Sequence, residues 1–149
     1  MENNLKLILI FLILFGAVFD LEAATYYVDR DASGSNNGTS WANAWKSFSA
    51  INWGSFRPGD VLYISGGSSS KTYFEALVVN TDGTSQNPII ISKGTTAGHD
   101  GKAIIDGQMT LGSGVYVEND DYILVRGLTV RNCTDNGQIR VRYCTGVLV

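Results

Sequence analysis

The last third of the chain nearly repeats itself after 24 residues. With that shift, alternate apolar residues fall on apolar residues: Val115 on Ile139, Val117 on Val141, Ile123 on Val147, and Val125 on Val149. An alternation of period two is typical of a β-strand, and a longer repeat around it indicates strands that stack coil on coil. Neighbouring strands lie about 4.8 Å apart, so each residue is expected directly beneath the residue one repeat later. The pattern predicts an all-β fold, a parallel β-helix in which these strands are rungs.

The composition agrees with a turn-rich β protein. The 149 residues are enough for one domain with a core, and they include 17 Gly but only 2 Pro. The formal net charge is −3, and part of it lies near the N-terminus. Because there is neither a basic patch nor a long charged segment, we expect no nucleic acid partner and no binding to a membrane surface. We expect a monomer.

The N-terminus has the pattern of a secretory signal peptide. A mostly apolar segment, Leu5–Phe19, is too short to span a bilayer comfortably, and the small residues Ala23 and Ala24 follow it. We predict a signal peptide over residues 1–24 and a secreted or cell-surface domain over residues 25–149. An uncleaved anchor is the alternative, and the cleavage position stays open because Asp20 and Glu22 are unusual near such a site.

Short apolar segments between turn residues predict further strands. They are Thr25–Asp29, Val61–Ser65, Tyr73–Val79, Pro88–Ser92 and Ala103–Ile105, with a turn over Arg57–Asp60 and a flexible loop over Gly66–Ser70. Extending the repeat backwards predicts a stacked column Ile91–Val115–Ile139. It also predicts that Ala103 and Ile105 lie beneath Ile123 and Val125, after a turn four residues shorter.

The segment after the first strand predicts a short α-helix. Trp41, Trp45, Phe48 and Ile51 recur at helical spacing, and Ser40 can cap the helix. Such a helix would cover the N-terminal end of the β-helix, where core and strand edges are otherwise exposed. The tryptophans can also be read as a platform for sugar rings, but their spacing favours a buried stripe.

Two acidic patterns have both a functional and a simpler interpretation. Residues 29–34 begin like a calcium-binding loop, but Ser40 stands where that loop needs a bidentate Glu. A hydrogen-bonded turn is therefore favoured. Asp120 and Asp121 offer a carboxylate pair for acid/base chemistry or calcium, but adjacent residues at a strand junction more often form a turn. We predict no metal site in this chain.

The two cysteines are predicted to remain unpaired. The repeat places Cys144 over Asp120, not beside Cys133, so the thiols are expected to fill small positions at bends. A disulfide in an oxidising compartment is the alternative. His99 lies in a Gly/Thr/Asp loop, where we expect no Cys or Ser partner for it and assign it no role. The sequence stops at Val149 within a predicted strand, so we expect the N-terminal piece of a longer, C-terminally truncated β-helix.

Several segments in this order resemble the start of known proteins. They are Tyr26–Asp29, Gly34–Trp41, Arg57–Ile64, Thr72–Glu75, Gly83–Ile89 and Ala103–Gly107. In these segments, residues 25–149 are similar to secreted bacterial right-handed parallel β-helix proteins. These form the pectate-lyase-like superfamily, which includes pectate lyases and the chondroitinase- and alginate-lyase-like polysaccharide lyases. The resemblance implies a right-handed solenoid with an N-terminal capping α-helix.

The resemblance also implies a role with carbohydrates. We expect an exported, carbohydrate-active protein, a polysaccharide lyase acting on an acidic polysaccharide, with its active site downstream of Val149. Lyases of this superfamily use a Lys or Arg base, often with calcium, so Ca²⁺ is implied for the full-length protein and no cofactor for this part. No residue here matches a catalytic motif of the family. The alternative is a non-catalytic glycan-binding or adhesion module, because one scaffold supports many functions.

Three residues are candidates for binding an acidic glycan. By alternation Arg140 and Arg142 point outwards, with Arg140 stacked over Tyr116 and Arg142 over Glu118. Guanidinium groups bind carboxylates through a two-point fork, so this row of residues is able to hold a uronate polymer. The simpler interpretation, which we favour, is a solvated strand face with an ion pair between Glu118 and Arg142.

Overall fold

Ten short strands carry almost all of the regular structure of the described residues. The computed structural model describes residues 22–135 and 138–149, so all but the last three residues of the predicted signal peptide lie outside the described residues. The strands are β1 (Thr25–Val28), β2 (Val61–Ile64), β3 (Ser70–Tyr73), β4 (Leu77–Val78), β5 (Ile89–Lys93), β6 (Lys102–Asp106), β7 (Val115–Glu118), β8 (Ile123–Arg126), β9 (Leu128–Arg131) and β10 (Ile139–Arg142). The described residues otherwise contain two single-turn 3-10 helices, Phe48–Ala50 and Trp53–Ser55. No helix within these ranges has the length and apolar character needed to cross a bilayer.

The strands form three sheets in which every pairing is parallel. The first sheet has the order β1-β2-β5-β8, the second β3-β6-β9, and the third β4-β7-β10. From β2 onwards, each successive group of three strands gives one strand to each sheet, always in the same order. Parallel neighbours need a long connection, and here the strands of the other two sheets provide it. The fold is mostly β with parallel sheets, and it is compatible with a parallel β-helix.

Each sheet contributes alternate residues to one hydrophobic core. Stacked residues form a column in each sheet: Leu62–Ile91–Val125 in the first, Tyr73–Ile105–Val130 in the second, and Leu77–Val115–Ile139 in the third. Most members of these columns are fully buried. Complete burial of such a side chain contributes about 1.5–3 kcal/mol. The inward columns therefore fix which side chains face outwards.

The 24-residue repeat is confirmed as the register between β7 and β10 of the third sheet. Ile139 of β10 pairs with Val115 of β7, which are 24 positions apart. A single bridge joins Leu124 to Leu148 with the same separation. A slip by one residue would turn every inward apolar side chain outwards, so the alternating pattern specifies this register strongly.

The predicted extension of the repeat to Ile91 is wrong. Ile91 pairs with Val125, 34 positions later, while Val115 pairs with Leu77. The actual column of the third sheet is Leu77–Val115–Ile139. Leu77 and Val115 are 38 positions apart, so a step of 24 residues back from Val115 falls on β5, which belongs to the first sheet. Strands keep their stacking while loops vary in length, so one offset cannot hold for every sheet.

The predicted 20-residue offset is wrong for the same reason. Ala103 and Ile105 pair with Leu128 and Val130, 25 positions later, and not with Ile123 and Val125. β8 belongs to the first sheet and β9 to the second, although only Gly127 separates them. Gly127 has a φ of +71°, a left-handed conformation that allows the sharp bend between the two sheets.

The predicted α-helix over Trp41–Ile51 does not form. Trp45 makes a parallel bridge to Val28 instead. Its N–H donates to the Tyr27 carbonyl, and its carbonyl accepts from the Asp29 N–H, both at 2.9 Å. These bonds satisfy the free edge of β1, which is the outermost strand of its sheet. Pairing that edge requires extended backbone at Trp45 and excludes a helix there.

The buried-stripe interpretation of the aromatic segment is confirmed for three of its four residues. Trp45 is 3% exposed, Phe48 4% and Ile51 8%, and all three join the core cluster. Trp41 is half-buried and lies outside that cluster. Turns and a 3-10 helix thus bring the apolar residues to the core at spacings that resemble those of an α-helix.

The structure confirms one further sequence prediction, a turn, and corrects another, a strand. The Arg57–Asp60 turn is confirmed: Gly59 has a φ of +98°, and the Asp60 carboxylate accepts N–H groups of Arg57 at 2.8 Å and Ala24 at 2.7 Å. The predicted strand Tyr73–Val79 is instead two strands, β3 and β4, which belong to different sheets. β3 begins at Ser70, inside the predicted loop.

The prediction of unpaired cysteines is confirmed. Cys133 is buried and Cys144 half-buried, and neither forms a disulfide. Burial raises the pKa of the Cys133 thiol, with a further contribution from the nearby Asp106 carboxylate. Cys133 is thus a small core residue and not an activated thiol.

Candidate functional site

The outward side of the third sheet carries the predicted binding residues. Arg140 of β10 lies beside Tyr116 of β7, and Arg142 lies beside Glu118. This is the stacking that the repeat predicts. Side chains alternate across a strand, so these four residues point away from the core-facing valines of β7. We call this set of four residues the arginine face.

Arg140 is the most constrained member of the arginine face. Its guanidinium carbon lies 5.8 Å from the centre of the Tyr116 ring, within the range of a cation–π interaction. Its Nε lies 3.0 Å from Glu118 Oε1, although the atoms are not aligned for a hydrogen bond, and its Nη1 lies 3.7 Å from Asp135 Oδ2. The Ser113 N–H donates to the Tyr116 hydroxyl at 2.9 Å and so fixes the far end of the ring.

Arg142 is the freer of the two arginines. The predicted ion pair with Glu118 is present only at its limit, with 4.0 Å between Arg142 Nε and Glu118 Oε1. The Arg142 side chain is 54% exposed, compared with 30% for Arg140. An exposed pair at this distance contributes at most about 1 kcal/mol. Most of the donors of Arg142 therefore face solvent and are available to a ligand.

The two arginines line an open groove of about 640 Å³. Its other walls come from Ser113, Thr134, Asp135, Ile139 and Val141. Val141 is 44% exposed, but it stacks on the buried Val117 and so lies on the inward side of β10, opposite the guanidinium groups. The lining of this groove is mainly polar, so ionic and hydrogen-bonding contacts, not apolar ones, would dominate the binding of a ligand there.

The chemistry of the groove suits a carboxylate. Guanidinium groups stay charged at any physiological pH and present parallel N–H donors that match the two oxygens of a carboxylate. Glu118 and Asp135 hold Arg140 in position and offset part of its charge. A ligand carboxylate is therefore expected to bind first at Arg142, with Tyr116 in contact with the apolar parts of the ligand.

A second polar cluster joins residues that are far apart in sequence. Asp29 follows β1, Ser65 follows β2, Lys71 lies on β3, and His99 lies in the loop between β5 and β6. The Lys71 ammonium contacts Asp29 Oδ1, and His99 Nδ1 lies 3.2 Å from Asp29 Oδ2 and 2.9 Å from Ser65 Oγ. The His99 ring stacks on Trp41 with centroids 3.9 Å apart. Sequence reasoning assigned no role to His99, and no local pattern connects these residues.

The cluster contains a Ser, a His and an Asp, but not in a catalytic arrangement. In a nucleophilic triad the Ser and the Asp bind opposite nitrogens of the imidazole ring. Here Ser65 Oγ and Asp29 Oδ2 both approach Nδ1 of His99. Ser65 is also completely buried, so its hydroxyl cannot reach a substrate. The cluster therefore holds the ends of β1, β2 and β3 together.

Electrostatics within the cluster favour the ionised form of Asp29. Burial by itself raises the pKa of Asp29, but hydrogen bonds from Lys71 and from the Asp31 N–H, together with the Lys71 charge, outweigh it. The pKa of Asp29 therefore lies below its ordinary value. Lys71 also lies 3.1 Å from Asp31, so its ammonium occupies the position where a calcium loop would hold its ion. The turn interpretation of residues 29–34 is favoured, and the described residues contain no group of three His, Cys, Asp or Glu suited to a metal.

Asp120 and Asp121 act as turn residues. Asp120 Oδ1 accepts the Thr81 N–H at 2.9 Å, and Asp121 Oδ1 accepts the Thr145 N–H at 2.6 Å. These bonds tie the turn after β7 to the neighbouring turns. Asp120 is 6% exposed and its Oδ2 has no hydrogen-bond partner. Burial therefore raises the pKa of Asp120, with a smaller effect of the nearby Asp82 and Asp121 charges.

Comparison with known proteins identifies no family for this chain. The chain matches no protein-family model, and no curated protein matches it.

Proposed function

We propose that the chain is part of an exported right-handed parallel β-helix protein of the pectate-lyase-like type, and that its arginine face binds an acidic polysaccharide. Support for the solenoid comes from the succession of strands, in which each group of three supplies one strand to each parallel sheet. Turns and 3-10 helices over residues 41–55 then act as the cap in place of the expected α-helix.

The observation that carries the binding proposal is the outward stacking of Arg140 on Tyr116 beside Arg142. A uronate ring has a carboxylate on one edge and apolar C–H groups on its faces. The guanidinium groups fit the carboxylate, and the tyrosine ring fits the C–H groups. The open groove is large enough for such a ring, at about 640 Å³.

The geometry favours binding over proton abstraction on this face. Arg140 lies within ion-pair distance of both Glu118 and Asp135, an arrangement that suits holding a charged ligand in place. In the lyase proposal the base and any calcium ion would therefore belong to other coils of the protein. A glycan-binding or adhesion module without turnover is the alternative that this observation favours.

Binding is tested with the full chain and acidic hexasaccharides prepared from polygalacturonate, alginate and chondroitin. We expect measurable binding by calorimetry that weakens as salt is raised, because the contact is ionic. The double variant Arg140→Gln, Arg142→Gln should weaken binding at least about tenfold, equivalent to 1.4 kcal/mol. Arg126→Gln is the matched control, because Arg126 is an exposed arginine on another sheet. Equal loss in the control, or no binding to any acidic oligosaccharide, would refute the proposal.

The lyase proposal has a separate readout. Lyases cleave uronate polymers by removing the proton next to the carboxylate, which leaves an unsaturated product that absorbs ultraviolet light. The protein is incubated with pectin, alginate or chondroitin in the presence of Ca²⁺, and absorbance is followed. Binding without an absorbance increase would favour the binding module. If neither binding nor an absorbance increase is observed, the protein has no glycan function of the proposed kind.

A further inference from the structure

A second groove opens at the opposite edge of the third sheet, beside β4. It has a volume of about 290 Å³, close to the lower limit for a small-molecule site. Its walls include Phe48, Ser49, Ile51, Trp53, Val78 and Asn80. We call this set of residues the tryptophan groove. It lies between the cap segment and the sheet that carries the arginine face.

The register links the tryptophan groove to the arginine face. Val78 of β4 pairs with Tyr116 of β7, and Tyr116 pairs with Arg140 of β10. The three side chains thus form one outward column across the sheet. Two strand spacings separate Val78 from Arg140, which is about 10 Å. A polymer that crosses the strands of this face would meet both sites.

The chemistry of the two sites differs. The tryptophan groove is lined by uncharged residues, whereas the arginine face is lined by guanidinium and carboxylate groups. Val78 is 55% exposed, so the groove presents apolar surface to solvent. Within the described part of the chain, the indole N–H of Trp53 and the side-chain amide of Asn80 have no hydrogen-bond partner. A ligand that offers both an apolar face and hydroxyl groups would satisfy these groups.

Trp53 differs from the other two tryptophans in its surroundings. Trp45 is a core residue, and the ring of Trp41 is covered by the stacked ring of His99. Trp53 is half-buried, and Phe56 packs against it with centroids 4.9 Å apart, which holds the indole in one orientation. An aromatic side chain that is fixed in advance loses little entropy when a ligand stacks on it. Trp53 is therefore the indole best placed to bind a sugar.

We propose that the tryptophan groove binds an uncharged sugar ring, which stacks against Trp53 and hydrogen-bonds to the Asn80 amide. The choice of a carbohydrate rests on the proposed function, and the choice of an uncharged ring rests on the lining of this groove. A polysaccharide bound across the sheet then places a neutral residue at Trp53 and an acidic residue at Arg142.

The test uses the full chain and two kinds of probe, measured by calorimetry. Uncharged hexasaccharides of xylose, glucose, mannose and galactose probe the tryptophan groove, and hexagalacturonate probes the arginine face. At least one uncharged probe should bind, and Trp53→Ala should weaken that binding at least about tenfold. Asn80→Ala should weaken it in the same direction and serves as the second variant if Trp53→Ala fails to fold. Phe74→Ala is the matched control, because Phe74 is a 52% exposed aromatic residue outside the groove.

The outcomes separate this inference from the proposed function. If no uncharged probe binds, or if binding is insensitive to both groove variants, the tryptophan groove is not a sugar site. The proposed function then survives only if an acidic hexasaccharide binds and the arginine variants weaken that binding. If uncharged probes bind at Trp53 but no acidic hexasaccharide binds, the inference stands and the arginine face loses its role.

Discussion

Replacing Lys71 by Met should destabilise the fold strongly, because Lys71 neutralises a buried carboxylate. The Asp29 side chain is 7% exposed and that of Lys71 13% exposed, and the two are in direct contact. Removing one member of a buried ion pair leaves an unpaired charge and costs about 3–5 kcal/mol. Two other groups still contact Asp29, the Asp31 N–H at 3.0 Å and His99 Nδ1 at 3.2 Å. We therefore expect the lower end of the range, about 3 kcal/mol.

Equilibrium urea unfolding and thermal unfolding measure this loss. A loss of about 3 kcal/mol corresponds to a decrease in Tm of about 6–12 °C for a chain of this size. The double variant Asp29→Asn, Lys71→Met removes both charges and should be more stable than Lys71→Met alone. Lys102→Met is the matched control, because Lys102 is exposed at the start of β6. A change of less than about 0.5 kcal/mol for Lys71→Met, or the same change in the control, would refute the reasoning.

The ion pair between Asp29 and Lys71 also predicts in which direction stability changes with pH. The pKa of Asp29 is lower in the folded chain than its ordinary value. Its contribution to stability is therefore fully present above the unfolded pKa of about 3.9, and it is lost as pH falls through the folded pKa. Acidification from pH 5 to below pH 4 should destabilise the wild type more than Asp29→Asn. Equal losses in the two proteins would contradict this assignment.

Three further predictions concern other parts of the fold. Gly66→Ala should cost about 3 kcal/mol, because a Cβ there would lie 2.0 Å from the Gly101 carbonyl oxygen and the backbone would have to move. Asp120→Asn should stabilise the protein at pH 7 and not below about pH 3.9, since burial raises the pKa of Asp120 and ionisation therefore costs stability as pH rises. A thiol reagent should modify the half-buried Cys144 before the buried Cys133 in the native protein.

For each of these three predictions, a control or a specific outcome would contradict the stated cause. A Cβ added at Gly98 would have no other atom within 4 Å. Only the left-handed φ of +86° therefore opposes Gly98→Ala, and the substitution should cost about 1 kcal/mol. If Gly66→Ala and Gly98→Ala cost the same, close approach is not the cause. A constant stability difference for Asp120→Asn from pH 3 to pH 7 would show that its charge is not involved. Equal labelling rates of the two thiols would show that their burial does not differ.

The alternation of apolar residues was enough to establish strands and one register. The shift of 24 residues predicts the pairing of Val115 with Ile139, and with it the stacking of Arg140 over Tyr116. This succeeds because a one-residue slip would expose a whole inward set of side chains. The same reasoning fails for Ile91, because sequence does not show to which of three sheets a short apolar strand belongs.

The local spacing of aromatic residues was a weaker guide. Trp45 has the right spacing for a helix, but its backbone pairs with the open edge of β1. The helix preference of a segment of about eleven residues amounts to little free energy, whereas leaving a buried strand edge unpaired costs several hydrogen bonds. The burial of Trp45 was predictable from its hydrophobicity, and its extended conformation was not.

Sequence alone therefore determined what each strand buries and which side chains of the last strands face outwards, because both follow from a period of two. Tertiary structure decided which distant residues meet. Asp29, Ser65, Lys71 and His99 come from four separate segments, and only the parallel pairing of distant strands brings them within hydrogen-bonding distance. Loop lengths set that pairing, and loops carry no periodic signal. For the same reason, the alignment of Trp53 and Val78 with the arginine face became visible only in the folded chain.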